Sequence, residues 1–202
     1  KKKPYFEHVH YYVVDEFWYA KEPGTQDMDI PVNKMSMDLK FFQAASIPEE
    51  RIHTLRDETV DSFDAAIQQI GGMDMVLMGI GTDGHFCGNH PGTFTNWNQG
   101  CHSIDRYCTP QVNQLLEFLL KDDIHSDDVS RIPDHYLTMG PKTIMDAKNI
   151  VMIFSGKGKA ETVRRAFFGP VTMDFPVSVF QLHPHVSVLL DEAAASEIRE
   201  LL

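Results

Sequence analysis

The stretch Met73–Thr93, MDMVLMGIGTDGHFCGNHPGT, changes character at Gly79. Residues 73–78 are apolar except for Asp74, whereas residues 79–93 hold five glycines, two histidines, an aspartate and a proline. A short apolar run closed by turn residues reads as a strand buried on both faces that ends in a loop. Gly, Asp and Pro punctuate any surface turn. At the end of a buried strand, however, glycines also let backbone approach a ligand, and this loop carries Asp83 and His85, two groups able to move protons.

Similar runs recur at Val9–Val14 (VHYYVV), Asn149–Gly156 (NIVMIFSG), Val177–Leu182 (VSVFQL) and Val186–Asp191 (VSVLLD), none with the polar alternation of a half-exposed sheet. Between them the spacing predicts a helix over Thr59–Ile70, with Val60, Phe63, Ile67 and Ile70 on one stripe and Gly71–Gly72 as the stop. Further helices are predicted over Lys157–Phe168 and from Glu192 onward. Residues Thr93–Pro133 combine a helical segment, QVNQLLEFLL, with a charged loop, KDDIHSDDVSRIPD, and no regular strand is placed there. Strands alternating with helices imply an α/β fold with a mainly parallel sheet.

In open parallel sheets ligands sit beyond the carboxyl ends of the strands, so the polar residues ending these runs are the candidates. Asp15 and Glu16 follow YYVV. A carboxylate partly withdrawn from water there has a raised pKa and suits a group that takes and returns a proton, although the pair also reads as an N-cap or a solvated strand end. In GTDGH the spacing lets the Asp83 carboxylate approach either a substrate or His85. After NIVMIFSG, the sequence Gly156-Lys157-Gly158-Lys159 opens a helix, and helix-start amides with the Lys159 cation predict an anion site. The Walker pattern is absent, so this is not a nucleoside-triphosphate loop. His8 and His10 share a strand face without a third ligand and read as packed or exposed, and His183 and His185 flank Pro184 as turn residues.

The chain has 202 residues, 43% of them hydrophobic, enough for one large core. With 29 acidic and 18 basic residues the net charge is -11, which offers no electrostatic footprint for nucleic acid or an anionic membrane. The basic run Lys1–Lys3 reads as a solvated end. Cys87, Cys101 and Cys108 have no metal-ligand spacing and an odd count, which suits a reducing cytoplasm. No apolar run approaches the ~18 residues of a membrane span, and no signal peptide is evident.

Four segments together carry a family resemblance: VVDEF (13–17), MVLMGIGTDGH (75–85), YLTMGPKTIMDAKNIVMIFSGKGKAE (136–161) and GPVTMDFPVSVFQLHPHVSVLLDEAAA (169–195). In order and spacing they resemble the glucosamine-6-phosphate deaminase/isomerase and 6-phosphogluconolactonase family, over most of the chain apart from Thr93–Pro133. The resemblance implies a Rossmann-like, mainly parallel α/β sheet with helices on both faces, formed by a single domain over 1–202. It also implies a phosphorylated sugar as substrate and no metal or organic cofactor, and it leaves a homo-oligomer open. By the same resemblance Asp15 matches the proton shuttle between sugar C1 and C2, Asp83 and His85 the acid/base pair of ring opening, and Lys159 a phosphate-binding lysine. Glu16, Gly84, His90, Gly156 and Gly158 are the further substrate-binding candidates.

Two departures accompany the match. Deaminases usually read G-H-I-A-F-N-E-P, with a glutamate supporting the ring-opening histidine, whereas here GHFCGNHP puts His90 in that place. Lactonases of the family also lack the glutamate. The family's preceding strand and Gly-Ser/Thr phosphate loop are not found ahead of VVDEF. The expected activity is therefore a hexosamine-6-phosphate deaminase/isomerase, with a 6-phosphogluconolactonase-type hydrolase and a non-catalytic sugar-phosphate-binding module as the alternatives.

Overall fold

The computed structural model describes residues 8–26 and 28–201, so the Lys1–Lys3 run lies outside the described residues. In chain order the elements begin with β1 (Tyr11–Tyr12), β2 (Asp15–Glu16), β3 (Trp18–Tyr19) and β4 (Ile30–Pro31), which leads directly into α1 (Val32–Met37). A π-helical turn at Asp38–Phe42 connects α1 to α2 (Gln43–Ala45), and then come β5 (Ile52–His53), α3 (Val60–Gln69), β6 (Val76–Met78) and β7 (His102–Asp105). The remainder is α4 (Pro110–Asp122), β8 (His135–Thr138), α5 (Pro141–Met145), β9 (Ile150–Phe154), α6 (Ala160–Phe168) and β10 (Val186–Leu190). Contacts group these into two compact units, 1–59 with 103–137 and 60–102 with 138–202. No helix among the described residues is long and apolar enough to cross a membrane.

In the first unit, α4 starts where Thr109 caps it, accepting the Val112 N–H at 3.3 Å, with Pro110 at the first helical position. Its stripe Val112, Leu116 and Leu120, spaced four apart, is buried in a cluster with Phe17, Tyr19, Val32, Ile104, Ile132 and Tyr136. The Tyr19 hydroxyl donates to the Leu116 carbonyl at 2.6 Å, so the one polar atom of that buried ring is satisfied. β1 pairs with β5 in parallel and β3 with β4 antiparallel. His10 stacks on His53, with Nδ1 and Nε2 of the two rings 2.9 Å apart.

Glu16 is fully buried in this unit. Its Oε1 accepts the amides of Phe17 at 3.0 Å and Asn33 at 2.7 Å, and its Oε2 accepts that of Lys34 at 2.9 Å. The last two belong to the first turn of α1, whose own preceding residue, Pro31, has no side chain that can cap it. A carboxylate from β2, 17 residues upstream, therefore does the capping. Burial pushes the Glu16 carboxyl from 4.5 up to about 7, the three amides pull it back in part, and the neighbouring Asp15 charge adds to the rise.

The second unit is built on three parallel strands in the order β10-β9-β6, with Val76 facing Ile150, Met78 facing Met152 and Phe154 facing Leu190. One face places Val76, Met78, Ile150, Met152 and Phe154 in the core. The strands were expected to be buried on both faces, but the opposite face carries Leu77, Ile153 and Leu189 at 58%, 49% and 54% exposure. Asp64 on α3 ties this unit together by accepting the Cys101 N–H at 2.7 Å and the Thr143 hydroxyl at the start of α5.

Parallel pairing and alternating helices give the expected α/β, Rossmann-like class, with local corrections. VSVFQL is not a strand: Pro176–Leu182 forms a 3-10 helix with Val177–Phe180 all buried, and the Val177 amide is bonded to the Gly84 carbonyl instead of a neighbouring strand. An apolar run buried on all sides looks the same in either conformation. Residues from Glu192 form successive turns rather than a regular helix. β7 is a strand inside the segment read as strandless, and Ile70, placed on the α3 stripe, is exposed beyond the helix end.

Two measurements test this description. Met152→Ala should lower the unfolding free energy by about 2–5 kcal/mol in urea titration, while Leu77→Ala, one row away on the open face, should change it by less than about 0.5 kcal/mol. For Glu16, the folded chain holds the carboxyl proton more tightly than the unfolded chain, so the residue's contribution to stability falls as pH rises from about 4.5 to about 7. The stability of the wild type relative to Glu16→Gln should therefore drop by about 3 kcal/mol across that window, and a flat difference would refute the buried titration.

Candidate active site

Beyond β6 the chain enters the glycine-rich loop, and its path is fixed by the helix that follows β9. The Lys159 ammonium donates to the Ile80 carbonyl, and the Thr162 hydroxyl donates to the Thr82 carbonyl at 3.3 Å. The loop then closes on itself through Gly81 N–H to the His85 carbonyl at 3.0 Å and Gly84 N–H to the Gly81 carbonyl at 3.1 Å. Gly84 has φ +82°, and a β-carbon there would collide with the Phe175 ring; at Gly81 a β-carbon would collide with the His85 imidazole and the Asp83 carboxylate. These two glycines make room for the chemical groups.

Asp83 stands between two imidazoles. Its Oδ1 is 2.6 Å from His85 Nδ1 and its Oδ2 is 3.3 Å from His90 Nδ1, while the two rings lie 4.0 Å apart. Hydrogen bonds from His85, then from His90, hold the Asp83 carboxyl well below the usual carboxylate range, against a smaller opposing effect of burial. With the carboxylate ionised, each Nδ1 facing it carries the proton, so each neutral ring has its lone pair on Nε2. His85 is half-buried, whereas His90 is buried. The arrangement holds the His85 imidazole in one orientation with a carboxylate behind it, a geometry that can serve proton transfer.

The far side of the loop is pinned from below. The Thr138 hydroxyl accepts the Gly88 N–H at 2.9 Å, and the Asn89 side-chain amide donates to the Met139 carbonyl at 2.8 Å and the Phe86 carbonyl at 3.1 Å. Thr93 Oγ1 donates to the His90 carbonyl at 2.9 Å. Phe86 is fully buried against Phe180, with ring centroids 4.7 Å apart. Asn89 and Thr138 were not singled out from the sequence; an asparagine and a threonine inside otherwise apolar, buried segments are the signals that could have found them.

Asp83, His85, Gly84, His90, Gly156, Gly158 and Lys159 all fall in the second unit, and Asp15 and Glu16 in the first. Asn33 Nδ2 donates at 2.8 Å both to Asp15 Oδ1 and to the Asp15 carbonyl, so the carboxylate is held by the residue whose own amide Glu16 anchors. Glu16, expected to touch substrate, has both oxygens engaged by backbone amides and no exposed surface.

The turn expected to grip an anion already holds one from its own chain. Asp191, at the end of β10, accepts the Gly156 N–H at 2.8 Å and the Ser155 hydroxyl at 2.6 Å on Oδ2, and the Ala194 N–H at 2.7 Å on Oδ1. These donors lower its pKa. Lys159 turns inward to Ile80, and Gly158 faces open space.

No family model matches the chain. Among curated proteins, a glucosamine-6-phosphate deaminase of Rhodococcus jostii is 38% identical over 167 residues, covering 79% of this chain and 60% of that protein. One from Arthrobacter sp. FB24 is 33% identical over 201 residues, covering 96% and 71%. This chain thus spans less than two thirds of the Rhodococcus protein. A solved monomeric glucosamine-6-phosphate deaminase superposes with TM-score 0.74 at 28% identity, over 95% of this chain and 76% of that one. A 6-phosphogluconolactonase from Trypanosoma cruzi superposes at 0.61 with 16% identity, over 95% and 73%, a likeness of fold alone. Because the Arthrobacter match runs through almost the whole chain, the Asp83 loop and the Asp15 strand included, this chain belongs to the glucosamine-6-phosphate deaminase family.

Proposed function

We propose that this chain carries the proton-transfer groups of a hexosamine-6-phosphate deaminase/isomerase, glucosamine 6-phosphate being the expected substrate. The observation that carries the reading is the 2.6 Å contact between Asp83 and His85, which leaves Nε2 of a half-buried imidazole as a base. In the proposed course, His85 takes the proton of the anomeric hydroxyl and returns it to the ring oxygen as the C1–O5 bond breaks, and Asp83 stabilises the transient imidazolium. Asp15 then removes the C2 proton of the open-chain sugar and delivers it to C1. Water adds at C2, ammonia leaves, and the ketose phosphate remains, so that one water is consumed for each ammonia released. Asn33 serves as a positioning residue for Asp15, and Glu16 acts through Asn33 rather than on the sugar.

Lys159 and the Gly156–Gly158 turn remain the proposed phosphate contacts, on the condition that the substrate phosphate displaces the Asp191 carboxylate. A second reading, hydrolysis of a 6-phospho-sugar lactone with His85 activating water, is favoured by one feature: the residue beside the Asp83–His85 pair is the imidazole of His90, not a carboxylate.

A phosphosugar panel assayed for ammonia, ketose and acid release separates these readings. With glucosamine 6-phosphate in heavy water, the wild type should exchange the C2 proton with solvent, and Asp15→Asn should lose turnover by about 10²–10⁴ while staying folded. His85→Gln should fall by a similar factor. Acid release from a lactone without C2 exchange would replace the deaminase by the hydrolase, and normal turnover by Asp15→Asn would remove Asp15 from the mechanism.

A further inference from the structure

The Asp83 loop brings together a donor set that its proton chemistry does not require. A carboxylate and one imidazole suffice for an oriented base, yet a second imidazole, His90, is buried against the same carboxylate. Ligand atoms of Asp83, His85 and His90 all lie within 4.8 Å of one another, and they are the one such group among the described residues. We propose that Asp83, His85 and His90 form a site for a divalent transition-metal ion of the zinc or cobalt type, bound through the carboxylate and the two Nδ1 atoms, with solvent completing the coordination. The proposal rests on the loop geometry and is independent of the reaction assigned above.

The donor types favour this class of ion. Two imidazoles and one carboxylate are borderline ligands that suit zinc and cobalt better than magnesium or calcium, which take oxygen donors. The distances are close to those needed. With metal–ligand bonds of about 2.1 Å, neighbouring donors of a tetrahedron lie about 3.4 Å apart. Asp83 Oδ2 is already 3.3 Å from His90 Nδ1 and Asp83 Oδ1 is 2.6 Å from His85 Nδ1, so an ion that takes both rings and both oxygens of this carboxylate needs the His85 side to open by under about 1 Å. His85 and Asp83 are accessible enough to admit the ion. The third ligand is anchored: the Thr93 hydroxyl holds the His90 carbonyl, and Asn89 and Gly88 are tied to Met139 and Thr138.

The chemistry balances without an additional reagent. Before binding, each neutral ring carries its proton on Nδ1, facing Asp83. On binding, each Nδ1 gives its lone pair to the ion and the ring proton reappears on Nε2, so no net proton is released from neutral rings. The same shift removes the lone pair on His85 Nε2 that the proposed reaction uses. An ion at this site would therefore silence His85 as a base, and a chelator would restore it.

The test uses the whole chain without sugar. Calorimetric titration with zinc chloride, and visible absorption on adding cobalt chloride, should report one ion per chain with the d–d bands of a low-coordinate site. His90→Leu should weaken binding by at least about tenfold, since loss of supporting groups alone typically costs 10–100-fold. His90→Gln serves the same purpose should the leucine variant fail to fold. Imidazole nitrogen NMR of the wild type should show the ring protons of His85 and His90 moving from Nδ1 to Nε2 when zinc is added. Absence of binding, unchanged tautomers, or equal affinity in both His90 variants, as expected for an ion seated at the His10–His53 pair instead, would overturn the assignment.

Discussion

The parallel pairing of β6 on β9 is the constraint from which the candidate site follows. Two parallel strands in register end on the same side, so the Gly79–Thr93 loop and the Ser155–Lys159 turn emerge next to each other. That proximity lets Lys159 and Thr162 hold the carbonyls of Ile80 and Thr82. With those carbonyls fixed, the loop can fold back through Gly81 and Gly84, and Asp83 is presented to both histidines. A slip of one residue of β6 along β9 would move Met78 to the open face and aim the loop elsewhere.

A second theme is how an acidic chain disposes of its carboxylates. Asp83, Asp191 and Glu16 are each surrounded by donors from their own chain, yet with different results. Asp83 and Asp191 gain enough hydrogen bonds to stay ionised, Asp83 between two imidazoles and Asp191 in a turn of amides and a hydroxyl. Glu16 receives three amides but is so thoroughly removed from water that its proton is held more tightly, not less. The balance between desolvation and donors thus separates a carboxylate that serves as a charged partner from one that is poised near neutrality under a helix terminus. Membership in the deaminase family gives the Asp83–His85 pair its proposed use, and His90 gives the loop a second imidazole against the same carboxylate.

Much of this was legible in the residues themselves. The run MDMVLM followed by GIGTDGH announced a strand and the glycine-rich loop after it, the Val60–Phe63–Ile67 stripe announced α3, and NIVMIFSG announced β9. Each signal is local: strand and helix periodicity, and the turn preferences of glycine, are written in neighbouring residues. The D-x-H spacing likewise placed Asp83 and His85 together, because two residues on one tight loop have few other places to go.

What the tertiary structure decided was the partner of every polar group whose mate is remote in sequence. Nothing near Gly156 shows that its amide meets Asp191, 35 residues away, and nothing near Glu16 shows that it caps a helix beginning 16 residues later. VSVFQL reads as a strand until the Gly84 carbonyl claims the Val177 amide. His90 could be assigned to a position in the loop but not to a side of Asp83. The sequence by itself determined the locally coded elements, β6, α3 and β9, and the loop that carries Asp83 and His85, because those depend on short-range sterics and burial period. Only the folded chain decided which donors reach which carboxylates, because hydrogen bonds act over about 3 Å and the path that brings distant residues within that range is set by the packing of the whole.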